Sequence, residues 1–230
     1  MAGELLLELR NLGKTFGEGE ARVDALSGVN LDVWAGEVVG LLGPSGSGKS
    51  TLLNLVGCIV EPTAGSMRLD GKEIWNKTWA EGDVRRLRLE KIGFIFQFHN
   101  LLPFLSAWEN VALVRTLLGD SKSAAQKRAF ELLEYLQLTH RRNAMPSQLS
   151  GGEAQRIAIA RALANDARII LADEPTAALD SERALAVIQL LRSAAQSRQA
   201  AVLVVTHDEK IVGHLDRRVH LRDGKIVSTD

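Results

Sequence analysis

The sequence predicts an α/β fold: a mixed α/β core, an antiparallel β portion near the N-terminus, and a helical insertion at about residues 98–165. Three observations predict it. The first third of the chain consists of short strand-like segments, the middle has apolar residues at helical spacing, and the last third alternates strands with helices. Because strand–helix–strand units form parallel sheets covered by helices, the last third is assigned to the core. A chain of 230 residues is long enough for one substantial core, alone or with a smaller lobe.

The antiparallel portion is predicted from strand-like runs at residues 5–12 and 25–33, followed by a continuously apolar strand at 37–42. Two dipeptides typical of tight hairpin turns, Asp70-Gly71 and Asp223-Gly224, predict one hairpin in the first third of the chain and another near the C-terminus.

The helical insertion is predicted from apolar residues spaced three and four apart. Its third helix follows a capping box, in which Ser150 supplies a hydroxyl and Glu153 a returning carboxylate. The predicted helices of the insertion cover residues 107–118, 123–136 and 153–164; a strand at 168–172, a helix at 181–197 and a strand at 201–206 follow.

The bulk composition gives no global sign of several classes of protein. Lys and Arg together number 28, as do Asp and Glu, so the zero net charge gives no global sign of binding to nucleic acid. The single cysteine, Cys58, lies in an apolar stretch and is interpreted as a buried small hydrophobe. There is no signal-peptide pattern and no apolar run near the ~20 residues that span a bilayer. We therefore expect a cytosolic chain that, if it works on a membrane, uses the spans of another subunit.

A glycine-rich loop at residues 43–50 matches the phosphate-binding pattern G-x-x-x-x-G-K-[ST]. A predicted strand precedes it and a helical run at 49–60 follows, as the chemistry requires: backbone N–H groups and a helix N-terminus face phosphate oxygens. Lys49 is expected to reach the β- and γ-phosphates, and the Ser50 hydroxyl to bind Mg²⁺. The motif predicts a nucleoside triphosphate site with these contact residues: Gly43, Ser45, Gly46, Ser47, Gly48, Lys49, Ser50 and Thr51.

Two acidic residues, Asp173 and Glu174, end the apolar strand that starts near Ile169. Carboxylates at the carboxyl edge of a parallel sheet lie where such sheets bind ligands. We expect Asp173 to hold Mg²⁺ through its water shell and Glu174 to polarise the attacking water. An acid pair after a strand is common on protein surfaces, so this interpretation depends on the phosphate-binding loop.

The segment 149–153, Leu-Ser-Gly-Gly-Glu, resembles the signature motif of the ABC family of ATPases. It lies between the phosphate loop and the acid pair, as in that family. A serine, two glycines and a helix N-terminus can form a second anion site. The resemblance implies that Ser150, Gly151, Gly152 and Glu153 serve the γ-phosphate of ATP held by another subunit, so that two chains sandwich two ATP molecules.

Other elements of the ABC pattern stand in the same order. The resemblance implies that Phe16 stacks on adenine, Gln97 contacts Mg²⁺ and the attacking water, Asp180 lies in the segment that crosses the dimer interface, and His207 contacts the γ-phosphate. Taken singly, Phe16 suits a core position, Gln97 a surface amide and His207 a strand-end histidine. Their occurrence in fixed order favours the family.

The resemblance implies an ABC ATPase fold: a RecA-like catalytic core with an antiparallel β subdomain at residues 1–97 and 166–230, and a helical subdomain at 98–165. It also implies ATP and Mg²⁺ as cofactors. The partners it implies are a second copy of the chain, in a homodimer, and a separate integral membrane permease subunit; no nucleic acid is expected. The chain would sit on the cytoplasmic face of the inner membrane.

A finer resemblance points to the branch of lipoprotein-release, macrolide-exporter and heterocyst-glycolipid-exporter ATPases, in which a periplasmic adaptor often takes part. Many members of that branch have Gly-Asn where this chain has Ala177-Ala178. The branch implies export or extraction of lipid, lipoprotein, peptide or drug-like cargo. A cell-division-type ATPase that transmits force without transport is the alternative, and a ribosome-acting ABC protein is disfavoured because such chains carry paired domains.

An apolar cluster follows Gln97 directly: Phe98, Leu101, Leu102, Phe104 and Leu105. If exposed, it would receive a short cytoplasmic helix of the membrane subunit; otherwise these side chains pack the helical lobe, which we expect of about half of them. Trp75 and Trp79, followed by basic residues, border the same surface or form an ordinary amphipathic segment.

Overall fold

A five-stranded antiparallel sheet and a six-stranded, mainly parallel sheet form the β structure of the described residues. The structure is a computed structural model, and it describes residues 3–80, 82–177 and 179–230. The predicted fold class is confirmed: an α/β core carries an antiparallel portion and a group of helices.

The antiparallel sheet has the strand order β2-β1-β4-β5-β6. The predicted Asp70-Gly71 turn joins β4 to β5, and both turn residues have positive φ (51° and 72°), as a tight hairpin requires. Its strands are β1 (Leu5–Phe16), β2 (Val23–Trp34), β4 (Ala64–Leu69), β5 (Lys72–Asn76) and β6 (Thr78–Trp79).

The second sheet has the order β11-β10-β3-β9-β8-β7, and all its pairs are parallel except the terminal β10–β11 hairpin. The predicted Asp223-Gly224 turn closes that hairpin, with φ of 48° and 72°. Its strands are β3 (Val38–Leu42), β7 (Ile92–Ile95), β8 (Ile169–Asp173), β9 (Ala201–Val205), β10 (Arg217–Arg222) and β11 (Lys225–Thr229).

Three helices pack on one another within residues 98–165 and four others accompany the sheets. The first group has capping boxes at two of its three helices, Ser106 with Glu109 and Ser150 with Glu153. The first group is α3 (Ala107–Leu117), α4 (Lys122–Tyr135) and α5 (Gly151–Ala162); the others are α1 (Lys49–Val56), α2 (Val84–Lys91), α6 (Ser181–Arg198) and α7 (Glu209–Val212).

The parallel sheet is buried on both faces, and its alternating side chains belong to two different core clusters. Ile170 and Val204 pack with the helices α3–α6, whereas Leu171 and Leu203 pack with the antiparallel sheet and α1. Cys58 is buried in the second cluster, as predicted. The sheet therefore joins the helical and antiparallel parts, and its carboxyl edge is held from both sides.

Some boundaries differ from the prediction. The first helix ends at Val56 rather than at residue 60, because the chain turns at Gly57 and Cys58 takes positive φ (53°). Helices α2 and α7 are not anticipated by the sequence pattern: α2 buries only Leu87 and α7 only Ile211, so neither has an apolar stripe. Within the described residues, every helix is too short or too polar to cross a membrane.

Candidate functional site

The glycine-rich loop lies between β3 and α1 at the carboxyl edge of the parallel sheet. Two of its glycines are required by the geometry. Gly43 has φ of 143°, and a Cβ there would collide with the carbonyl oxygen of Leu221; Gly48 has φ of 103°, and a Cβ there would lie 2.7 Å from the carbonyl oxygen of Ala25. The loop thus delivers the chain tightly into the N-terminus of α1, whose first N–H groups suit an anion.

Lys49 is the first residue of α1, and its side chain folds over the loop. Its Nζ donates to the carbonyl oxygens of Gly43 and Pro44, both at 2.7 Å. The ammonium group therefore lies inside the loop at the place where phosphate oxygens would enter, and it has carbonyl partners that a phosphate can replace.

The two acids end β8 and begin the loop that follows it. Burial raises the pKa of Asp173, and the neighbouring charge of Glu174 raises it further; a hydrogen bond with Ser50 and the charge of Lys49 oppose the rise. The Ser50 side chain, in the first turn of α1, therefore lies beside the Asp173 carboxylate. Burial and the nearby Glu174 carboxylate thus disfavour the ionised form of Asp173, and a bound cation would favour it.

Glu174 has positive φ (48°), which is uncommon for a residue with a side chain. Its backbone N–H donates to the carbonyl oxygen of Val205 on the adjacent strand at 3.0 Å, which fixes this conformation. The Glu174 Oε1 lies 2.7 Å from Nδ1 of His207. The end of β8 and the loop after β9 therefore present an acid and an imidazole as one hydrogen-bonded pair.

These elements line a single cavity of about 770 Å³. Gln97 enters it from the loop after β7. Cavities of this size hold small-molecule ligands. The predicted residues that line it are Gly43, Ser45, Gly46, Ser47, Gly48, Lys49, Ser50, Thr51, Gln97, Asp173, Glu174 and His207.

Six lining residues are not among the predicted site residues: Val23, Asp24, Ala25, Val205, Asp223 and Gly224. Val205 ends β9. The other five come from the start of β2 and from the β10–β11 turn, which lies far away in the chain. The N–H of Gly224 donates to the carbonyl oxygen of Ser47 at 3.1 Å. The Asp223-Gly224 dipeptide signals a turn in the sequence, but its contact with the phosphate loop follows only from the strand order.

Phe16 stands beside this cavity and does not line it. It ends β1 and pairs with Val23, which does line the cavity, and it is 43% exposed. Since residues directly opposite on paired strands share a face, the ring stands next to the cavity mouth. Lys14 Nζ lies 4.9 Å from its centroid.

The segment 149–153 lies elsewhere, beside a second cavity of about 490 Å³ lined by Ser150, Gly152 and Glu153 together with α6 residues. Ser150 caps α5 by accepting from the N–H of Glu153 at 3.3 Å, and its own N–H donates to Glu153 Oε2 at 2.8 Å. That backbone bond, then the bond from Arg141 Nε at 2.7 Å, lowers the pKa of Glu153 to about 2. Ser150 and Gly151 are exposed, so the segment is free to meet another molecule.

Asp180 caps α6 by accepting from the N–H of Arg183 at 2.9 Å, and it is exposed. Ala178, in the segment that precedes it, lies outside the described residues.

Among the described residues there is no group of three or more His, Cys, Asp and Glu side chains that could hold a metal ion. The predicted Mg²⁺ residues are of another kind: a hydroxyl, an amide and one carboxylate, from Ser50, Gln97 and Asp173. All three line the large cavity. Oxygen donors of these three types fit a hard cation that keeps several waters.

A comparison with protein families matches residues 26–177 to the family described as ABC transporter. Among curated relatives, the lipoprotein-releasing system ATP-binding protein LolD 2 of Caulobacter vibrioides is 46% identical over 221 residues, which cover 96% of each chain. The macrolide export ATP-binding/permease protein MacB of Brucella abortus is 46% identical over 228 residues; these cover 99% of this chain and 35% of MacB.

A solved dimeric structure of the ATP-binding cassette MJ0796, in a post-hydrolysis state bound to ADP and Pi, has the same fold. The two chains agree with a TM-score of 0.87 at 41% identity, over 98% of each.

Proposed function

Since this chain belongs to the ABC transporter family as an ATP-binding, ATP-hydrolysing subunit, we propose that it drives a separate membrane permease that exports or extracts lipid, lipoprotein, peptide or drug-like cargo. The similarity to LolD and MacB supports this branch over others. The chain then works as a peripheral subunit on the cytoplasmic face of the inner membrane, and a periplasmic adaptor completes the assembly.

The observation that carries the ATP chemistry is one cavity, here named the ATP cavity, that is shared by the phosphate loop, the acid pair, Gln97 and His207. Phosphoryl transfer to water requires mainly positioning and charge stabilisation. Lys49 and the loop N–H groups would bind the phosphates, and Glu174 would accept the proton of the attacking water. His207, on the Glu174 carboxylate, would orient that base and contact the γ-phosphate.

Mg²⁺, when bound with ATP, neutralises phosphate charge and fixes the phosphate geometry. Ser50, Asp173 and Gln97 are the residues that would hold it, Asp173 through water. Phe16 would stack on the adenine at the cavity mouth.

A homodimer completes the site. The signature segment 149–153 lies apart from the large cavity of its own chain, with Ser150 and Gly151 exposed. We assign it to the ATP of a second copy, with Asp180 at the interface; the dimeric MJ0796 structure supports the arrangement. Dimer closure on ATP and reopening after hydrolysis would then move the permease.

We divide the chain functionally into a catalytic core with its β subdomain, residues 1–97 and 166–230, and a helical subdomain, 98–165. Helices α3–α5 fall within the second range. The apolar cluster after Gln97 belongs to it, and only part of that cluster is available for docking. Phe98 is 77% exposed and Phe104 71% exposed, while Leu101 packs against the helical core.

Phe98 and Phe104 are therefore the docking residues we propose for a short cytoplasmic helix of the permease. Leu101 is a poor probe of docking, because a charge there would disturb the core. Trp75 is buried and packs edge-on against Trp79 in the antiparallel lobe, so Trp75 does not contribute to an exposed surface.

The experiment is an affinity capture from native membranes with the Glu174→Gln protein and ATP, read by mass spectrometry. We expect an integral membrane subunit, with or without an adaptor protein. Phe104→Asp should lose that subunit, whereas Val227→Asp, which changes an exposed apolar residue of β11, should retain it. Recovery of cell-wall hydrolase regulators without a transported substrate would favour a force-transmitting ATPase, and recovery of ribosomes would refute the transport function.

A further inference from the structure

Arg161 connects two parts of the chain that the proposed function uses separately. It lies in the last turn of α5, the helix that begins at the signature segment. Its two terminal nitrogens donate to consecutive main-chain carbonyls: Nη1 to Asn100 at 2.6 Å and Nη2 to His99 at 2.7 Å. These carbonyls follow Gln97 by two and three residues.

This contact is not an ordinary surface ion pair. The Arg161 side chain is half-buried, and burial lowers the pKa of its guanidinium. Across residues 3–80, 82–177 and 179–230 it has no carboxylate within ion-pair distance. The two charge-assisted hydrogen bonds, made in the plane of the guanidinium, therefore compensate for its burial. They also fix the orientation of the backbone at residues 99–100.

The geometry couples two motifs through one rigid element. Helix α5 runs from Gly151 to Ala162, a length of about 18 Å for its twelve residues. At one end it presents the signature segment, and at the other it holds the backbone after Gln97. If α5 moves as a rigid unit, a displacement of the backbone at residues 99–100 would be transmitted to Ser150, and a displacement of Ser150 would be transmitted back.

We propose that Arg161 is a positioning residue that sets Gln97 in the ATP cavity and joins it to the signature helix. The inference rests on the proposed role of Gln97. Arg161 does not line the ATP cavity; it acts on hydrolysis only through the backbone at 99–100. The exposed Phe98 lies between Gln97 and the two carbonyls that Arg161 binds. A partner that displaces Phe98 would therefore move both the Gln97 side chain and helix α5.

A double-mutant cycle tests this. Arg161→Gln, Gln97→Ala and the combination are compared for kcat and for KM for MgATP, with active protein counted by nucleotide-binding stoichiometry. We expect Arg161→Gln to lower kcat by roughly tenfold with KM changed by less than about twofold, since the phosphate loop is untouched. In the Gln97→Ala background, Arg161→Gln should lower kcat by less than about twofold. Arg161→Lys, which keeps the charge but lacks the planar fork, should be intermediate.

Arg198→Gln is the matched control, because Arg198 is a second part-buried arginine that donates to a carbonyl just after α5, that of Leu163 at 3.2 Å. Arg198→Gln should lower the melting temperature as much as Arg161→Gln does, but it should not lower kcat tenfold. A full tenfold loss from Arg161→Gln in the Gln97→Ala background, or an equal kcat loss in Arg198→Gln, overturns the inference. Normal turnover of Gln97→Ala alone overturns the role of Gln97 and the inference with it. If Arg161→Gln does not fold, Arg161→Lys carries the same cycle.

Discussion

The Nδ1 atom of His207 lies 2.7 Å from Oε1 of Glu174, although 33 residues separate them. The glutamate side chain is 14% exposed and the histidine side chain 74% exposed. The less exposed partner, Glu174, is anchored through its backbone at the sheet edge, and the exposed imidazole contacts it from the loop after β9. A carboxylate oriented in this way suits a base whose position must be fixed before water attacks.

Glu174→Gln should reduce ATP turnover by at least about a hundredfold, because the amide cannot accept the proton of the attacking water. ATP binding should persist, so the protein should accumulate as an ATP-bound dimer. Phosphate release and light scattering after size-exclusion chromatography measure the two effects. The control Glu134→Gln changes an exposed glutamate of α4 and should leave turnover normal. Near-normal turnover of Glu174→Gln would remove the residue from the mechanism.

His207→Ala should lower kcat by more than about tenfold and leave ATP affinity within about twofold. The imidazole orients the base and contacts only the γ-phosphate, whereas Lys49 and the phosphate loop hold the nucleotide. A fluorescent ATP analogue gives the affinity, and a coupled assay gives the rate. His214→Ala is the matched control, because His214 does not line the ATP cavity. A large loss of affinity with kcat unchanged would contradict this assignment.

Lys49→Ala should weaken ATP binding and stop hydrolysis. The change removes the phosphate-binding charge and the two 2.7 Å bonds that hold the loop carbonyls of Gly43 and Pro44. Nucleotide titration and phosphate release measure the two losses. Lys72→Ala, at an exposed position of β5, should behave as wild type. Retained hydrolysis in Lys49→Ala would refute the phosphate-loop assignment.

Most of the candidate site is predictable because its parts are local in the sequence. The loop 43–50, the acids at the end of β8 and the capping box at Ser150 each consist of neighbouring residues whose types state their chemistry. Their assembly into one cavity follows from parallel strands whose carboxyl ends share an edge.

The features of the site that the sequence does not predict depend on packing between residues far apart in the chain. Contact of Gly224 with Ser47 and of Arg161 with His99 requires strand order and helix placement that no local pattern encodes. The division of the apolar cluster also escapes: Phe104 and Leu101 are alike in the sequence, yet one is exposed and the other packs against the helical core.

The signature segment should show a pH-dependent contribution to stability through Glu153. Its pKa is lowered to about 2 in the folded protein, from an ordinary value of 4.5. The ionised side chain therefore stabilises the fold fully above pH 4.5, and this contribution is lost as the pH falls from 4.5 towards 2. Glu153→Gln should be less stable than wild type at pH 7, with a gap that narrows below pH 4.5 in denaturant titrations.

Arg141→Ala is the companion variant for that measurement. It removes the guanidinium that helps to lower the pKa of Glu153 and leaves the backbone bond from Ser150 in place. The loss of stability caused by Glu153→Gln at neutral pH should then be smaller in the Arg141→Ala background than in the wild type. A loss that does not depend on pH in either background would contradict the charge-based account.

Gly151→Arg tests whether the signature segment acts on the ATP of a second copy. Beyond its own helix backbone and chain neighbours, a Cβ at Gly151 would meet no atom of the described residues within 4 Å. The added side chain therefore points into open space, and the Ser150 cap is kept. In the Glu174→Gln background we expect the protein to stay monomeric with ATP, because the arginine occupies the space of the partner's nucleotide. ATP affinity of the monomer should change by less than about twofold, since the phosphate loop of the same chain is intact.

Ser150→Arg should give the same result with an additional loss of helix stability, because it also removes the N-cap of α5, worth about 1 kcal/mol. Ser197→Arg, at an exposed position near the end of α6, should still dimerise with ATP. Light scattering measures the dimer, and nucleotide titration measures binding. An ATP-dependent dimer in Gly151→Arg would place the signature segment outside the interface, and loss of ATP binding by the monomer would place it on the nucleotide of its own chain.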